Sequence, residues 1–269
     1  MKNGKANYAE HSRALERAIT ILDLFTFESP TWTVSRIAQA SDRSLAATHR
    51  AVAALESAGY LERKADRGPL QLGLRLLQLG AIVSRRLDIA QAAADPLRRL
   101  VEELGDTATL LVPQEGGALC VARVEGSFPI RPHAVVVGER MAYHTGAMPL
   151  AIFAFLGEAE RSAYLKRPLV RLTERTLTRP ADIKRRAAEI RESGISLSFA
   201  EAVAGTAAAA APIFGVDGTI AGAVGVTGIE ARFERERQPL IIQALAAAAG
   251  GVSRQIGNQQ PDLRPVAEH

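Results

Sequence analysis

The chain has 269 residues, of which 47% are hydrophobic and 23% are charged. This length suits two domains of ordinary size, and the composition excludes a globally disordered protein. The formal net charge of +4 is unevenly distributed. Residues 1–86 hold 13 basic and 8 acidic residues, a net of +5, whereas residues 87–269 hold 20 basic and 21 acidic residues. The N-terminal third is therefore where we expect a polyanion to bind.

A single cysteine, Cys120, excludes an intramolecular disulfide, and no Cys/His cluster has the spacing of zinc ligands. The N-terminal residues are polar and lack the apolar stretch of a signal peptide. The longest apolar stretch, 202–216, is interrupted by glycine and proline and is too short to cross a bilayer. These features predict a cytoplasmic protein with no membrane segment, no metal and no cofactor.

Residues 12–72 are predicted to form a winged helix-turn-helix domain. An amphipathic helix starts at Ser12 and continues to about Glu28, and two shorter helices follow on either side of the polar turn 41–44. Asp42 tolerates the left-handed backbone conformation that this kind of turn usually requires. Thr33 and Ser44 are suitable N-caps. The predicted buried stripes are Leu15, Ile19, Leu22 and Phe25 in the first helix, Val34, Ile37 and Ala38 in the second, and Leu45, Thr48, Val52 and Leu55 in the third.

The third helix is the predicted DNA-reading helix, because the second helix of a helix-turn-helix unit enters the major groove. Pairs of short amphipathic helices also occur in domains that bind no DNA, so the pattern alone leaves both interpretations open. Arginine reaches phosphates or guanine edges, whereas alanine offers only apolar contact to thymine methyl groups. The predicted DNA-binding residues of the helix pair are Arg36, Arg43, Ser44, Ala46, Ala47, Thr48, His49 and Arg50.

Residues 60–72 predict a β-hairpin that would make the domain winged, with strands at 60–63 and 70–72. The turn between them carries Lys64 and Arg67, which are placed for contact with the DNA backbone or the minor groove. A charged hairpin tip is also commonly just a solvated loop.

Residues 73–87 are predicted to form a linker and dimerisation helix. Its apolar face, made by Leu76, Leu79, Ile82 and Val83, cannot be buried by so small a helix alone. We expect this face to pack against a second copy of the chain or against the winged domain. Pairing with a second copy would place two DNA-reading units on one pseudo-palindrome.

Residues 88–256 are predicted to form an α/β domain, and residues 257–269 a flexible tail. Strands paired in sequence with helices on one side suggest a GAF-like fold, so that the chain as a whole is α+β. Predicted helices lie at 95–104, 149–155, 158–165, 182–193 and 234–256, and predicted strands at 107–112, 118–124, 130–137, 195–199, 206–214 and 219–227.

No catalytic signature accompanies this second domain. Phosphate-binding loops, the Gly-x-Ser-x-Gly motif and the His-Glu-x-x-His motif are all absent from the sequence. The adjacent carboxylates Glu102 and Glu103 fall on a predicted solvated helix. A domain with a core and no catalytic motif is better explained as a ligand-binding domain than as an enzyme.

Several segments occur in the order and spacing of one known family. They are Leu15 to Ile19, Thr48 to Arg50, Leu55 to Leu61, Leu72 to Leu77, Arg123 to Gly126, His144-Thr145, Gly194, Gly205, Ala211 to Ile213 and Asp217-Gly218. From about Arg13 to Gly250 the chain resembles the IclR family of bacterial transcription regulators. The resemblance implies a homodimer or dimer of dimers that binds double-stranded operator DNA and a small-molecule effector. The alternative is a metabolite-binding sensor or enzyme whose helix pair contacts other proteins.

The resemblance also implies an effector pocket, and this chain departs from the family's pattern there. Ser198, Ala208, Gly225 and Thr227 stand where the family commonly has an Asp, a Cys and two Ser, and Pro149-Leu150 replaces a Gly-Lys or Gly-Arg pair. These smaller, less polar residues imply a roomier pocket, suited to an aromatic or bulky metabolite. Candidate partners for a carboxylate are Arg123, Arg131 and His133. The pocket residues implied by position are Val135, Val137, Met141, Ala147, Met148, Ser198, Ala208, Gly225 and Thr227.

In the DNA-reading helix, Leu45, Ala46 and Ala47 stand where family members often have polar or basic residues. Direct base readout is therefore expected to be sparse. More of the specificity would then come from the wing and from the shape of the DNA.

Overall fold

The computed structural model describes residues 14–65, 68–85, 88–128 and 135–257. The chain divides into two compact units, residues 1–86 and 87–269. Five of the sequence-based expectations lie outside the described residues: the helix start at Ser12, Arg67 at the hairpin tip, the candidate ligands Arg131 and His133, the greater part of the strand expected at 130–137, and the tail from residue 258.

The N-terminal unit contains four helices and one hairpin within its described residues. Helix α1 covers 14–23. It is followed by α2 (Val34–Ala40), α3 (Leu45–Ser57), β1 (Leu61–Arg63), β2 (Leu70–Leu72) and α4 (Leu74–Arg85).

Local side-chain chemistry fixes the helix-turn-helix. The Thr33 and Ser44 hydroxyls accept hydrogen bonds from the amides of Arg36 and Ala47, both at 3.3 Å, so both predicted N-caps are confirmed. Asp42 has a φ of 50°, which confirms the expected left-handed residue in the turn. The turn geometry is thus set by residues whose side chains suit it.

The core of the N-terminal unit differs at three positions from the predicted stripes. Leu45, Leu15 and Ile19 are at least half exposed. Leu15 and Leu45 lie in the first turn of their helices, whereas Ile19 lies mid-helix on the side of α1 away from the buried Ile21. Ile21 is buried instead, and α1 ends at residue 23, earlier than expected. The residues that form the core are Ile21, Val34, Ile37, Val52, Leu55, Leu61 and Leu70.

The predicted hairpin is present, and its two strands pair antiparallel with Leu61 opposite Leu72. Trp32 adds a bridge to Leu70. Arg63 bonds the Glu56 carboxylate at 2.8 Å, which fastens the hairpin to the end of α3. The hairpin is therefore held to the C-terminal end of α3.

The C-terminal unit is built on a six-stranded antiparallel sheet with the strand order β5-β4-β3-β8-β7-β6. The strands are β3 (Thr107–Gln114), β4 (Gly117–Val124), β5 (Arg140–Met141), β6 (Ser196–Phe199), β7 (Thr206–Phe214) and β8 (Ile220–Ile229). The helices are α5 (Asp88–Leu104), α6 (Ala147–Phe155), α7 (Glu158–Tyr164), α8 (Pro180–Ser193) and α9 (Gln238–Gln255), with a short 3₁₀ turn at Glu230–Arg232.

Helices cover both faces of this sheet, so the expectation of helices on one side only was wrong. Helices α5 and α9 pack on one face, against Leu110, Ala209 and Val226. Helices α6 and α8 pack on the other, against Leu111, Ala210 and Ala223. The α+β class and the order of the two domains are as the sequence predicted.

A buried ion cluster joins the start of β3 to the segment before α9. The Asp106 carboxylate, 2% exposed, is 2.6 Å from Arg232 Nε and 2.8 Å from Arg237 Nη1. A Cβ at Gly228 would lie 2.4 Å from Asp106 Oδ1, so only glycine leaves room for the carboxylate. These contacts hold the start of α9 against the β3 end of the sheet. Removal of either arginine would leave the buried Asp106 charge less compensated, which is costly.

None of the helices in the described part of the chain is both long enough and apolar enough to cross a bilayer.

Candidate nucleic-acid interface and effector site

The exposed surface of α3 carries most of the residues predicted to read DNA. Ala46, His49, Arg50 and Ala53 are exposed at positions i, i+3, i+4 and i+7, which puts them on one face of the helix. Arg43 and Ser44 are exposed at its N-terminus, and Ala47 is half-buried. Among the described residues of the wing, Lys64 is exposed as expected.

Thr48 does not belong to this surface. Its side chain is 2% exposed, and its hydroxyl donates to the Ser44 carbonyl at 3.1 Å. The helical spacing that aligns it with Val52 and Leu55 turns it into the core. Its prediction as a DNA contact was therefore wrong, whereas its place in the buried stripe is confirmed.

Arg36 lies on the preceding helix and is already oriented by an aromatic ring. Its guanidinium carbon is 4.7 Å from the centre of the Trp32 ring, a cation–π contact that holds the side chain against the domain. Arg36 remains exposed and charged, so this contact is compatible with a phosphate partner.

Helix α4 exposes large apolar side chains. Leu74, Leu77, Ile82 and Val83 are each more than half exposed. Leu76 and Leu79, the other two residues of the predicted apolar face, are half-buried. A surface of this kind is characteristic of a site of association.

The face of the C-terminal sheet that α6 covers carries small and polar side chains in two transverse rows. In the first row Ser198, Ala208, Thr227 and Thr107 are neighbours across four strands. The second row crosses five strands and contains Ser196, Ala210, Gly225, Thr109 and Arg123. Four of the residues expected in the effector pocket belong to these rows: Ser198, Ala208, Gly225 and Thr227.

The start of α6 closes over this face. Gly146 precedes the helix with a φ of 91°, and a Cβ there would lie 3.9 Å from the Ser198 hydroxyl. Ala147 and Met148 are buried directly after it. The helix start supplies two of the expected pocket residues and the facing sheet rows supply four, so six of them line the layer between α6 and the sheet.

Gly225 does not leave the open space that its small size suggested. A Cβ at this position would lie 2.4 Å from Met148 Cγ and 2.8 Å from Met148 Sδ, so the thioether occupies that volume. Methionine is flexible enough to fill such a gap. The expected enlargement of the pocket at Gly225 is therefore wrong for this arrangement of Met148.

The remaining expected pocket residues differ in exposure. Val135 and Met141 are half-buried against the α6 cluster. Val137 is 55% exposed in the turn before β5, so it faces solvent and not the buried side of the sheet. Its inclusion among the pocket residues is not supported by this geometry.

A hydrogen-bonded cluster of aromatic side chains beside α6 was not predicted from the sequence. His144 Nδ1 is 2.5 Å from the Tyr164 hydroxyl, and Nε2 is 2.9 Å from the Val170 carbonyl. Since a carbonyl only accepts, Nε2 donates its hydrogen and Nδ1 accepts from the phenol. The Tyr143 hydroxyl donates to the Gln114 carbonyl at 2.9 Å. The cluster fixes the loop after α7 and leaves His144 no ring nitrogen for a ligand.

Burial moves the titratable groups near this face away from reactivity at neutral pH. It raises the pKa of the Cys120 thiol and that of the Tyr143 phenol, each to about 12. Burial also raises the pKa of Tyr164. These groups therefore stay protonated at neutral pH.

Four buried polar atoms have no hydrogen-bond partner among the described residues, and three of them belong to the second row. They are Thr109 Oγ1, Arg123 Nε, Ser196 Oγ and Glu201 Oε2. Because buried polar atoms are rarely left unpaired, the presence of three such atoms in one row sets this face apart from the rest of the sheet. In the described part of the chain, His, Cys, Asp and Glu side chains form no cluster of three or more that could hold a metal ion.

A winged helix-turn-helix with arginines exposed on its third helix and at the start of that helix, together with a sheet domain that has a small polar face, defines a ligand-responsive transcription regulator. Two family models match the chain: the IclR helix-turn-helix domain over residues 14–65 and the bacterial transcriptional regulator IclR C-terminal domain over residues 81–254. The chain therefore belongs to the IclR family.

Individual relatives agree with this membership. The HTH-type transcriptional regulator KipR of Bacillus subtilis is 30% identical over 247 residues, 91% of this chain and 98% of that protein. The crystal structure of a putative IclR transcriptional regulator from Silicibacter sp. TM1040 is 27% identical, with a TM-score of 0.81, and covers 92% of this chain and 98% of that one. An IclR homologue from Microbacterium hydrocarbonoxydans, crystallised with 4-hydroxybenzoate, shares the fold at 24% identity and a TM-score of 0.79, with 90% of this chain and 98% of that one covered.

Proposed function

We propose that this regulator controls a catabolic operon by binding a pseudo-palindromic operator as a homodimer or a dimer of dimers, and that a small metabolite held between α6 and the sheet changes its operator affinity. The observation that carries the DNA-binding role of these residues is the exposed face of α3, where Arg50 and His49 stand among alanines with Arg43 at the helix start.

The charge of this face favours phosphate contact over dense base readout. Arg36, Arg43, Arg50 and Lys64 each supply a cation for the DNA backbone, whereas Ala46 and Ala47 reach only thymine methyl groups. Ser44 and His49 complete the proposed contact set. Specificity then depends on a few base contacts, on the wing and on DNA shape.

Two copies of this unit are needed for a useful affinity, since a single helix and wing neutralise few phosphates. The exposed apolar face of α4, from Leu74 to Val83, supplies a surface for pairing with a second copy. A symmetric pair would place the two α3 helices on half-sites about one helical turn, or a multiple of it, apart.

The effector site that we propose comprises Met141, Ala147, Met148, Ser198, Ala208, Gly225 and Thr227, with Val135 at its edge. Its small side chains and its α6 lid favour a flat, largely apolar metabolite, and Met148 would yield part of the space over Gly225. The 4-hydroxybenzoate bound to the Microbacterium homologue supports an aromatic compound as the first class to test.

An effector shifts operator affinity only through a difference in its own affinity for the two conformations of the regulator. A coupling free energy of about 1–3 kcal/mol, which is typical of such systems, changes operator affinity roughly 5- to 150-fold.

The first experiment is the selection and sequencing of genomic fragments that the purified chain binds. Recovery of one or a few pseudo-palindromes supports the proposal, and the neighbouring genes nominate the effector. Recovery of DNA without any sequence preference counts against it.

On the recovered operator, Arg50→Ala is expected to weaken binding and to lower the slope of log K against log salt by about one unit. The half-site preference should not change, because a phosphate contact carries no sequence information. Affinity measurements at several salt concentrations test this. The matched control is Arg98→Ala, at an exposed arginine of α5 in the other unit, which should leave the slope unchanged. A changed sequence preference for Arg50→Ala would assign this residue to base readout instead.

A further inference from the structure

Arg123 and Thr109 stand opposite each other on neighbouring strands at the β4 end of the second row. Directly paired residues of an antiparallel sheet have Cβ atoms about 4.5–5.5 Å apart and point to the same face. That face is the one that α6 covers, because Leu111, two residues after Thr109, packs in the α6 cluster. Both side chains therefore face the proposed effector site.

Each of the two residues presents a polar atom that nothing in the described chain satisfies. Thr109 is 1% exposed and its hydroxyl has no partner. Arg123 Nε is buried without a partner, while its Nη2 lies 3.3 Å from the exposed carboxylate of Glu125. This ion pair engages only the outer end of the guanidinium with an exposed carboxylate, and it leaves the buried Nε edge unused.

Two unused donors on one buried surface, one of them cationic, match the hydrogen-bonding pattern of a carboxylate. A carboxylate oxygen accepts from a guanidinium with a charge-assisted bond and from a hydroxyl at the same time. Gly225, on the other side of Thr109, has no side chain, and the space over it is filled by the thioether of Met148. Because methionine is flexible, a ligand that reaches Thr109 can displace this side chain and keep an apolar contact with it.

We infer that Arg123 Nε and the Thr109 hydroxyl bind the carboxylate of the effector, whose apolar body displaces the Met148 thioether from the space over Gly225. This inference rests on the proposed function, and it defines the effector class as a monocarboxylate. It also fixes the orientation of the ligand, with its anionic end at the β3–β4 edge of the site.

The test compares carboxylates with their primary amides, which have the same shape and no charge. Isothermal titration calorimetry of the full chain would use four pairs: benzoate and benzamide, 4-hydroxybenzoate and its amide, phenylacetate and its amide, and pyruvate and its amide. We expect any carboxylate that binds to do so at least about tenfold more tightly than its amide. Tenfold corresponds to the lower end of the range for a hydrogen bond to a charged group.

Three variants separate this role from a structural one. Arg123→Gln should lower carboxylate affinity about tenfold or more and leave amide affinity unchanged. Thr109→Val keeps the shape of the side chain and should lower carboxylate affinity by a smaller factor than Arg123→Gln does. It provides the test of the site if Arg123→Gln fails to fold. Arg98→Gln, the control on the exposed surface of α5, should change neither.

Equal affinity for acid and amide, or an unchanged preference in both Arg123→Gln and Thr109→Val, overturns the inference and leaves the proposed effector role intact. Failure of every carboxylate to bind the natural chain also overturns it. The proposed function is judged separately, by whether extracts of metabolites release the chain from its selected operator.

Discussion

The two faces of the six-stranded sheet are built from alternating residues of the same strands, yet they bury different chemistry. Toward α5 and α9 the buried side chains of the strands are all apolar, among them Ala108, Leu110, Val224 and Val226. Toward α6 their neighbours include Thr109 and Ser196, which are as deeply buried and have unpaired hydroxyls. The first face is an apolar core in which no buried polar side-chain atom of the described strands is left unpaired. The second retains unsatisfied polar groups, which is the expected signature of a site that a ligand completes.

A matched pair of substitutions on adjacent residues tests this difference most strongly. Leu110→Thr should lower the free energy of unfolding by about 2–5 kcal/mol, because it removes buried volume and adds an unpaired hydroxyl to the apolar face. Thr109→Val should instead raise it by roughly 1 kcal/mol, since it removes a hydroxyl that has no partner. Urea unfolding of both variants measures the two effects. Destabilisation by Thr109→Val would show that its hydroxyl is satisfied in solution.

The close approach of α6 to β8 provides a second, smaller test. A Cβ at Gly225 would lie 2.4 Å from Met148 Cγ and 2.7 Å from the Ala209 carbonyl oxygen. Gly225→Ala should therefore cost about 1–3 kcal/mol through overpacking. Combined with Met148→Ala, its cost should fall, because one of the two clashes is removed; a double-mutant cycle by thermal or urea unfolding measures the coupling. If the two substitutions have additive effects on the free energy of unfolding, the Met148 side chain does not occupy the space over Gly225 in solution.

Glu201 gives the smallest expected effect, and it depends on pH. Burial raises the pKa of this carboxyl above its ordinary 4.5, against the opposing influence of Arg186 and Ser198. A group whose pKa is higher in the folded state favours folding at low pH, and this contribution is lost as the pH rises through the folded pKa. The natural chain should therefore lose stability as the pH rises above about 4.5, and Glu201→Gln should not show this loss. Parallel pH profiles of unfolding would contradict this prediction.

Local patterns predicted the elements of the fold well, and for physical reasons. The N-caps Thr33 and Ser44 and the left-handed Asp42 are decided by neighbouring residues, so the sequence identifies them directly. Strand β7 begins at Thr206 and ends at Phe214, as expected, because an apolar stretch bounded by turn residues marks both ends.

What the sequence could not supply depends on contacts between distant segments. Residues of β7 are apolar on both sides, so their pattern does not reveal that helices cover both faces. The filling of the space at Gly225 depends on Met148, 77 positions earlier in the chain. Thr48 fitted both the buried stripe and the DNA-facing set, and only packing decides between them.

The alanines exposed on α3 also bear on how such a regulator changes over evolutionary time. A reading helix with few base contacts has little binding specificity to lose, so a single substitution at Ala46 or Ala53 would add a contact without first removing one. New operator preferences could then arise by gain alone, and gene duplicates of this chain could diverge toward different promoters without passing through an inactive intermediate.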